Sequence, residues 1–135
     1  MGMYDWEERY SVGVGLMDDH HKKLFHIVSR VHEAVRGDQA DDKLRGLIDE
    51  LLEYTSYHFQ EEEKMLERIG LPTLGEHRTQ HDKFIADLRA FQREAKGGMT
   101  SSAAFKVLNT TVAWLRNHIL KVDMGYKDLA RQKGG

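Results

Sequence analysis

The sequence predicts an all-α protein: an up-down-up-down antiparallel four-helix bundle with an N-terminal arm and a short C-terminal helix. Three observations indicate this fold. Apolar residues recur at alternating spacings of three and four in four long segments, glycine and other turn residues separate these segments, and no Val/Ile/Thr-rich run alternates as a strand would. Helices of about 20 residues are roughly 30 Å long, and short connections make consecutive helices antiparallel neighbours.

The N-terminal region has no helical period at first. Residues 1–16 are punctuated by glycine and predict an arm that packs Trp6 or Tyr10 against one end of the bundle. Periodicity begins at Asp18, with Asp18 or Asp19 as the predicted N-cap, and the first helix ends at Gly37-Asp38.

The remaining helices follow with short connections. Gly70-Leu71-Pro72 separates the second helix from the third, with Pro72 placed to start the third, and Gly97-Gly98 closes it. We expect one domain over residues 1–135, with the bundle at 18–122 and a C-terminal segment at 123–135. The predicted helical ranges after the first are 41–69, 74–95, 101–122 and a last stretch at 126–132.

Composition narrows the function. Lys and Arg number 20 against 22 Asp and Glu, and the basic residues are scattered, so we expect no nucleic-acid partner. The absence of cysteine excludes disulfides and thiolate metal sites. Apolar runs are short, and we expect a cytoplasmic monomer without membrane insertion. The unusual feature of the composition is the presence of eight histidines in a chain without cysteine.

Polar side chains occupy core-facing positions of the predicted helices. A lone histidine on an apolar face is usually a hydrogen-bonded core residue, but several converging polar groups favour a bound cation. A buried carboxylate is costly unless it is paired, and no Lys or Arg shares these stripes. The residues concerned are His58, Glu62, His77, His81 and His118.

The apolar periodicity does not decide whether two further positions, one on the first helix and one after the fourth, face the cluster. His20 and His21 lie about equally far on either side of the apolar stripe of the first helix, whereas His26 and His32 are expected at the surface. Asp123 is about 140° from His118 on an ideal helix, so both can face one site only if the helix loosens near Val122 to Gly125, and Gly125 makes such a break feasible.

These segments resemble the hemerythrin family. The residues that carry the resemblance are D-D-H-H-K-K-L-F at 18–25, H-F-Q-E-E at 58–62, H-R-T-Q-H at 77–81 and H-I-L-K-V-D at 118–123. The resemblance selects His21 rather than His20 as a ligand, supports Asp123 as a bridging carboxylate, and leaves His20 at the surface. It implies seven metal ligands: His21, His58, Glu62, His77, His81, His118 and Asp123.

Seven ligands suit two octahedral ions with one coordination position left open. The resemblance implies a di-iron centre with an oxo or hydroxo bridge that binds dioxygen reversibly, for carriage, storage or delivery to an oxygen-consuming enzyme. His77, His81 and His118 would hold the filled iron, and His21 and His58 the other. The same resemblance implies an apolar wall around the open position, made of Phe59, Trp114, Leu115 and Ile119.

Other functions compete with oxygen binding. One is sensing of oxygen, redox state or nitric oxide through a separate partner, and another is weak peroxidase, oxidase or nitric oxide reductase activity at the same site. Ferritin-like di-iron enzymes use carboxylate-rich sites with Glu-x-x-His pairs, which this sequence does not contain. We therefore expect an oxygen-binding metalloprotein rather than an enzyme. A metal-free bundle is the remaining alternative.

Overall fold

The computed structural model describes residues 6–37 and 41–133, apart from the side chains of Asp41, Asp42 and Ser101. Within these residues no strand occurs, and the all-α fold prediction is confirmed. Residues 1–5 of the predicted arm, Asp38 and residues 134–135 lie outside the described residues. The helices are α1 (Gly15–Arg36), α2 (Asp41–Ile69), α3 (Leu74–Lys96), α4 (Ser101–Lys121) and α5 (Lys127–Gln132), with 3₁₀ turns at Glu8–Tyr10 and Asp123–Tyr126.

The four long helices form the up-down-up-down bundle. α1 packs against α2 and α4, and α2 packs against α3. The apolar positions of the predicted period face inward: Leu24, Val28, Val31 and Val35 of α1 are all buried. Burial of each such side chain contributes roughly 1.5–3 kcal/mol. None of the helices that the structure describes has an apolar stretch long enough to cross a membrane.

The start of α1 differs from the prediction. The helix begins at Gly15 with Val14 at the N-cap, and Asp18 lies in its first turn. The carboxylate of Asp18 does not cap the helix; it accepts hydrogen bonds from the Ser11 hydroxyl at 2.6 Å and the Val12 amide at 2.8 Å. Asp18 therefore ties the arm to the helix.

The arm packs as expected. Tyr10 is fully buried and stacks on Phe25 of α1, with ring centroids 5.3 Å apart, and Trp6 meets Tyr10 edge-on. The amino group of Lys22 lies 4.6 Å above the Trp6 ring. These contacts fix the arm against the bundle beside the segment that carries His21.

The turn between α2 and α3 is closed by backbone hydrogen bonds. The Leu71 amide donates to Leu66 and the Gly70 amide to Glu67, and Gly70 has a φ of 76°, as a Schellman motif requires. Pro72 lies within this turn rather than in the first turn of α3, which begins at Leu74 with Thr73 as its N-cap. Pro72 therefore does not start the helix as expected, whereas the predicted range from residue 74 agrees with the observed start.

Candidate metal centre

The seven predicted ligands meet inside the bundle, toward the end that carries the start of α1 and the turn between α2 and α3. They come from all four long helices and from the 3₁₀ turn that follows α4, and every one of them is at most 4% exposed. Their positions are His21 on α1, His58 and Glu62 on α2, His77 and His81 on α3, His118 on α4, and Asp123 on the turn.

Local backbone structure explains how each helix presents its ligands. His58 and Glu62 are four residues apart, as are His77 and His81, so each pair projects from one helical face. Asp123 reaches the cluster because the helix breaks before it, which is the condition that its spacing from His118 imposes. α4 ends at Lys121, Val122 has φ −109° and ψ −57°, and the chain continues as the 3₁₀ turn. This break brings the Asp123 carboxylate back to within 3.1 Å of His118 Nε2.

The ligand atoms form two groups that share a carboxylate. Within each group the candidate ligand atoms lie no more than 4.8 Å from one another, and every residue is buried. Glu62 belongs to both groups, so the two positions are adjacent. One group consists of Glu62, His77, His81, His118 and Asp123, and the other of His21, His58 and Glu62.

Both carboxylates divide their oxygens between the two groups. Glu62 Oε1 lies 3.0 Å from His77 Nε2 and 3.2 Å from His81 Nε2, while its Oε2 lies 3.7 Å from the Nε2 atoms of His21 and His58. Asp123 Oδ1 lies 3.0 Å from His77 Nε2, and its Oδ2 is 3.4 Å from His21 Nε2. Each carboxylate thus faces the imidazoles of both groups.

The distances of 3.0–3.2 Å around Glu62 Oε1 and Asp123 Oδ1 fit metal ligation. Two ligand atoms at right angles on one ion, each about 2.1 Å from it, are about 3.0 Å apart. Two of these residues also carry buried polar atoms without a hydrogen bond, namely Asp123 Oδ1 and both ring nitrogens of His21. Unpaired buried polar atoms are costly, and a cation would satisfy them.

Outer hydrogen bonds set which nitrogen of two histidines faces inward. His81 donates from Nδ1 to Glu63 Oε2 at 2.7 Å, and His118 donates from Nδ1 to Gln80 Oε1 at 3.1 Å. A neutral ring that donates from Nδ1 carries a lone pair on Nε2. The two Nε2 atoms lie 3.2 Å apart, where lone pairs repel unless a cation or proton lies between them. Such outer partners are typical of metal-bound histidine.

The electrostatics of the protein without metal show what balances the two carboxylates. Burial disfavours a charged ring, but for His21 and His77 the nearby carboxylates outweigh it and raise the pKa of each to about 9. Burial would raise the pKa of the Glu62 and Asp123 carboxyls, but the surrounding histidines hold both below their usual range. Two imidazolium rings then neutralise two carboxylates.

The sequence profile of the family described as Hemerythrin HHE cation binding domain matches residues 12–130, which include all seven of these residues. The chain belongs to the hemerythrin family. Bacteriohemerythrin of Clostridium acetobutylicum is 32% identical over 129 residues, covering 93% of this chain and all of the relative. Bacteriohemerythrin of Methylococcus capsulatus is 28% identical over 128 residues, covering 93% of this chain and 95% of its own.

Solved hemerythrin structures share the fold. A wild-type hemerythrin crystal structure superposes with a TM-score of 0.75 at 27% identity, covering 87% of this chain and 89% of its own. A leucine-to-alanine variant of hemerythrin gives a TM-score of 0.82 at 26% identity, covering 96% and 98% of the two chains. The chain is therefore a hemerythrin-type protein with a candidate metal-binding cluster of His, Glu and Asp.

Aromatic rings cover one side of this hemerythrin centre. Phe59 stacks on His81 with ring centroids 3.7 Å apart and planes 1° apart, and Trp114 stacks on His118 at 4.5 Å and 9°. Leu115 and Ile119, three residues before and one after His118, are buried in the main apolar core. Of the four predicted wall residues, Phe59 and Trp114 contact ligand rings directly, and Trp114 is half-buried.

The expectation that His20 lies at the surface is wrong. His20 is only 5% exposed, and its Nδ1 lies 2.9 Å from His58 Nδ1. The helical wheel places His20 and His21 on opposite flanks of the stripe, and both flanks are covered because the bundle encloses a wide face of α1. His26 is exposed as expected, while His32 is half-buried against the Phe105 ring.

Three further residues that contact the ligands were not predicted from the sequence. Tyr126 is fully buried, and its hydroxyl donates to Glu62 Oε2 at 2.9 Å. Burial and the two nearby carboxylate charges raise the pKa of the Tyr126 phenol well above its usual value. Glu63 and Gln80 lie off the apolar stripes, so periodicity could not single them out; their positions next to Glu62 and His81 were the available signal.

Proposed function

We propose that this chain binds two iron ions at the cluster and binds dioxygen reversibly there. The observation that carries the proposal is the unequal division of donors along the two bridging carboxylates. Among the described residues, three imidazoles lie on the side of Glu62 Oε1 and Asp123 Oδ1, and two imidazoles, His21 and His58, lie on the side of Oε2 and Oδ2. Unequal donor sets favour one filled ion and one with room for a small ligand.

The donor set supports iron over zinc. Five imidazoles and two carboxylates provide nitrogen and oxygen ligands for octahedral ions, whereas zinc sites are usually four-coordinate. When bound, a ferrous pair supplies two electrons and an open coordination position to dioxygen. A histidine-rich site with few free positions favours binding over oxygen activation, so we propose an oxygen-binding protein rather than an enzyme.

The side chains of this chain would keep water away from the site. Phe59 and Trp114 cover the rings of His81 and His118, and Leu115 and Ile119 are buried beside them on α4. An apolar wall limits the entry of water and protons, which would otherwise promote irreversible oxidation. The buried Tyr126 hydroxyl stays protonated, because its pKa is raised well above the usual value. It donates a hydrogen bond to Glu62 Oε2.

We propose carriage, storage or delivery of dioxygen to an oxygen-consuming enzyme as the physiological use, by a monomer in the cytoplasm. The relatives named bacteriohemerythrin support a role of this type, since they are similar over nearly the whole chain. The absence of cysteine agrees with a reducing compartment.

An optical titration tests the proposal. Protein loaded with ferrous iron under anaerobic conditions should gain a visible charge-transfer band when oxygen is admitted and lose it under vacuum, over repeated cycles. Elemental analysis should find two irons per chain. The matched control is His118→Leu against the exposed His26→Leu: the first should lose iron and the band, and the second should keep both. Two bound irons without a reversible band would refute oxygen binding.

A further inference from the structure

His20 is a buried histidine outside the ligand set. It precedes His21 on α1, and its ring lies between the outer face of His58 and the side chains of Tyr54 and Tyr57. The contact with His58 is specific, because it joins the two Nδ1 atoms at 2.9 Å. The side chain is buried, with 5% of the residue exposed.

The direction of this hydrogen bond follows from the geometry of His58. Only one proton fits between two nitrogens 2.9 Å apart, so one ring donates and the other accepts. His58 Nε2 points to the cluster, 3.7 Å from Glu62 Oε2. A ring that binds an ion through Nε2 must carry its proton on Nδ1, and His20 then has to accept it.

We propose that His20 is a positioning residue for His58, accepting its Nδ1 proton so that the Nε2 lone pair is directed at the ion on the two-histidine side. This inference rests on the proposed function, because it requires an ion at that position. On each side of the centre, a ligand histidine then donates its Nδ1 proton to a different kind of acceptor. His81 on the three-histidine side donates to the Glu63 carboxylate, while His58 donates to a neutral imidazole.

The surroundings of His20 hold its ring in place for this task. The centroid of Tyr54 lies 5.9 Å away with the planes at 76°, and that of Tyr57 lies 5.4 Å away at 47°. Lys23 Nζ lies 4.7 Å above the Tyr54 ring on the solvent side. The acceptor is therefore preorganised. Removing its nitrogen should change the binding affinity of the ion held by His58 and leave the other ion unaffected.

Two substitutions of equal shape separate hydrogen bonding from packing. His20→Asn places an acceptor oxygen where Nδ1 lies, and His20→Leu has the same branching without an acceptor. Both are made in the full chain, with His26→Asn and His26→Leu on the exposed side of α1 as controls. Each protein is titrated anaerobically with ferrous iron against a chelator, and Mössbauer spectra distinguish the two irons.

We expect His20→Leu to lower the binding affinity for one of the two irons by about 10- to 100-fold. This is the usual effect of removing an outer partner of a metal-bound histidine. The Mössbauer signal of that iron alone should change, and His20→Asn should restore most of the affinity. Circular dichroism verifies the fold, and His20→Ala replaces the leucine variant if it is insoluble. The His26 variants should match the parent.

Two results would overturn the inference in different ways. Equal affinities of the asparagine and leucine variants, or equal weakening of both irons, would show that His20 serves packing alone. Failure of the unmodified chain to bind two irons would overturn the proposed function, and the inference with it.

Discussion

Loading the centre with metal should release protons, and the number follows from the structure. Without metal, His21 and His77 have pKa values raised to about 9 by the carboxylates of Asp123 and Glu62, so both rings are charged at neutral pH. An ion cannot bind a protonated nitrogen. Since His21 and His77 belong to different ligand groups, each ion should displace about one of these protons.

The size of the pH effect on metal affinity depends on how far the pH lies below the pKa of about 9 of these two histidines. For each displaced proton, one pH unit changes the binding free energy by about 1.4 kcal/mol, or tenfold in affinity. The affinity for each ferrous ion should therefore rise up to tenfold per unit between pH 6.5 and about 8.5, and level off above 9. Anaerobic titration in chelator-buffered iron, with calorimetry in two buffers of different ionisation enthalpy, measures both quantities.

The same protons affect the stability of the metal-free protein. The folded pKa values of His21 and His77 lie above the ordinary value of 6.5, so between these values the folded state binds more protons than the unfolded state. The stabilisation from the two rings is fully present below pH 6.5 and should be lost as the pH rises through 9. Urea unfolding across this range checks the sign.

The titration contains its own control. At a pH above 9 the two rings are neutral before metal arrives, and proton release from them should vanish. Metal affinity that is independent of pH between 6.5 and 8.5 would refute the reasoning, since it would mean that no proton is held between the histidines and the carboxylates.

Three substitutions test other contacts of the centre. Tyr126→Phe should lower the unfolding free energy of the metal-free protein by about 1.5–3 kcal/mol in urea titrations, because it removes a hydrogen bond to a charged group, and the loss should shrink in a Glu62→Gln background. An undiminished loss there would argue against the pairing. Glu63→Ala should weaken iron binding at least about tenfold in chelator competition, because it removes the acceptor of the hydrogen bond from His81 Nδ1, and parental affinity would contradict this role. Leu115→Ala should cost about 2–5 kcal/mol of stability and speed autoxidation more than it lowers iron content; an unchanged autoxidation rate, followed optically, would remove Leu115 from the wall.

Periodicity predicted the four-helix bundle because apolar spacing reports directly which helical face is buried. Spacing left the end of α4 open: His118 and Asp123 are too far apart on an ideal helix to share a site, and the structure replaces α-helix by a 3₁₀ turn there. Helix ends were less predictable. Asp18 has the chemistry of an N-cap, but its carboxylate binds the arm, a tertiary contact that local sequence does not encode.

The hydrogen bonds around the ligands depended on tertiary structure. Glu63 and Gln80 lie one residue from a ligand and off the apolar stripes, so only the approach of neighbouring helices brings them to His81 and His118. The placement of Tyr126 opposite Glu62 joins residues 64 positions apart in the chain. Such contacts have no periodic signal.

By itself, the sequence determined the helices, their burial pattern and the residue types that could hold a metal, because these depend on spacing along one helix. Tertiary structure decided how the carboxylate oxygens divide between the two ligand groups and which of two adjacent histidines faces the centre. It turned His21 toward Asp123 and His20 toward His58. The physical reason is that both flanks of the α1 stripe are buried, and only the partners supplied by α2 and the turn after α4 make the two histidines different.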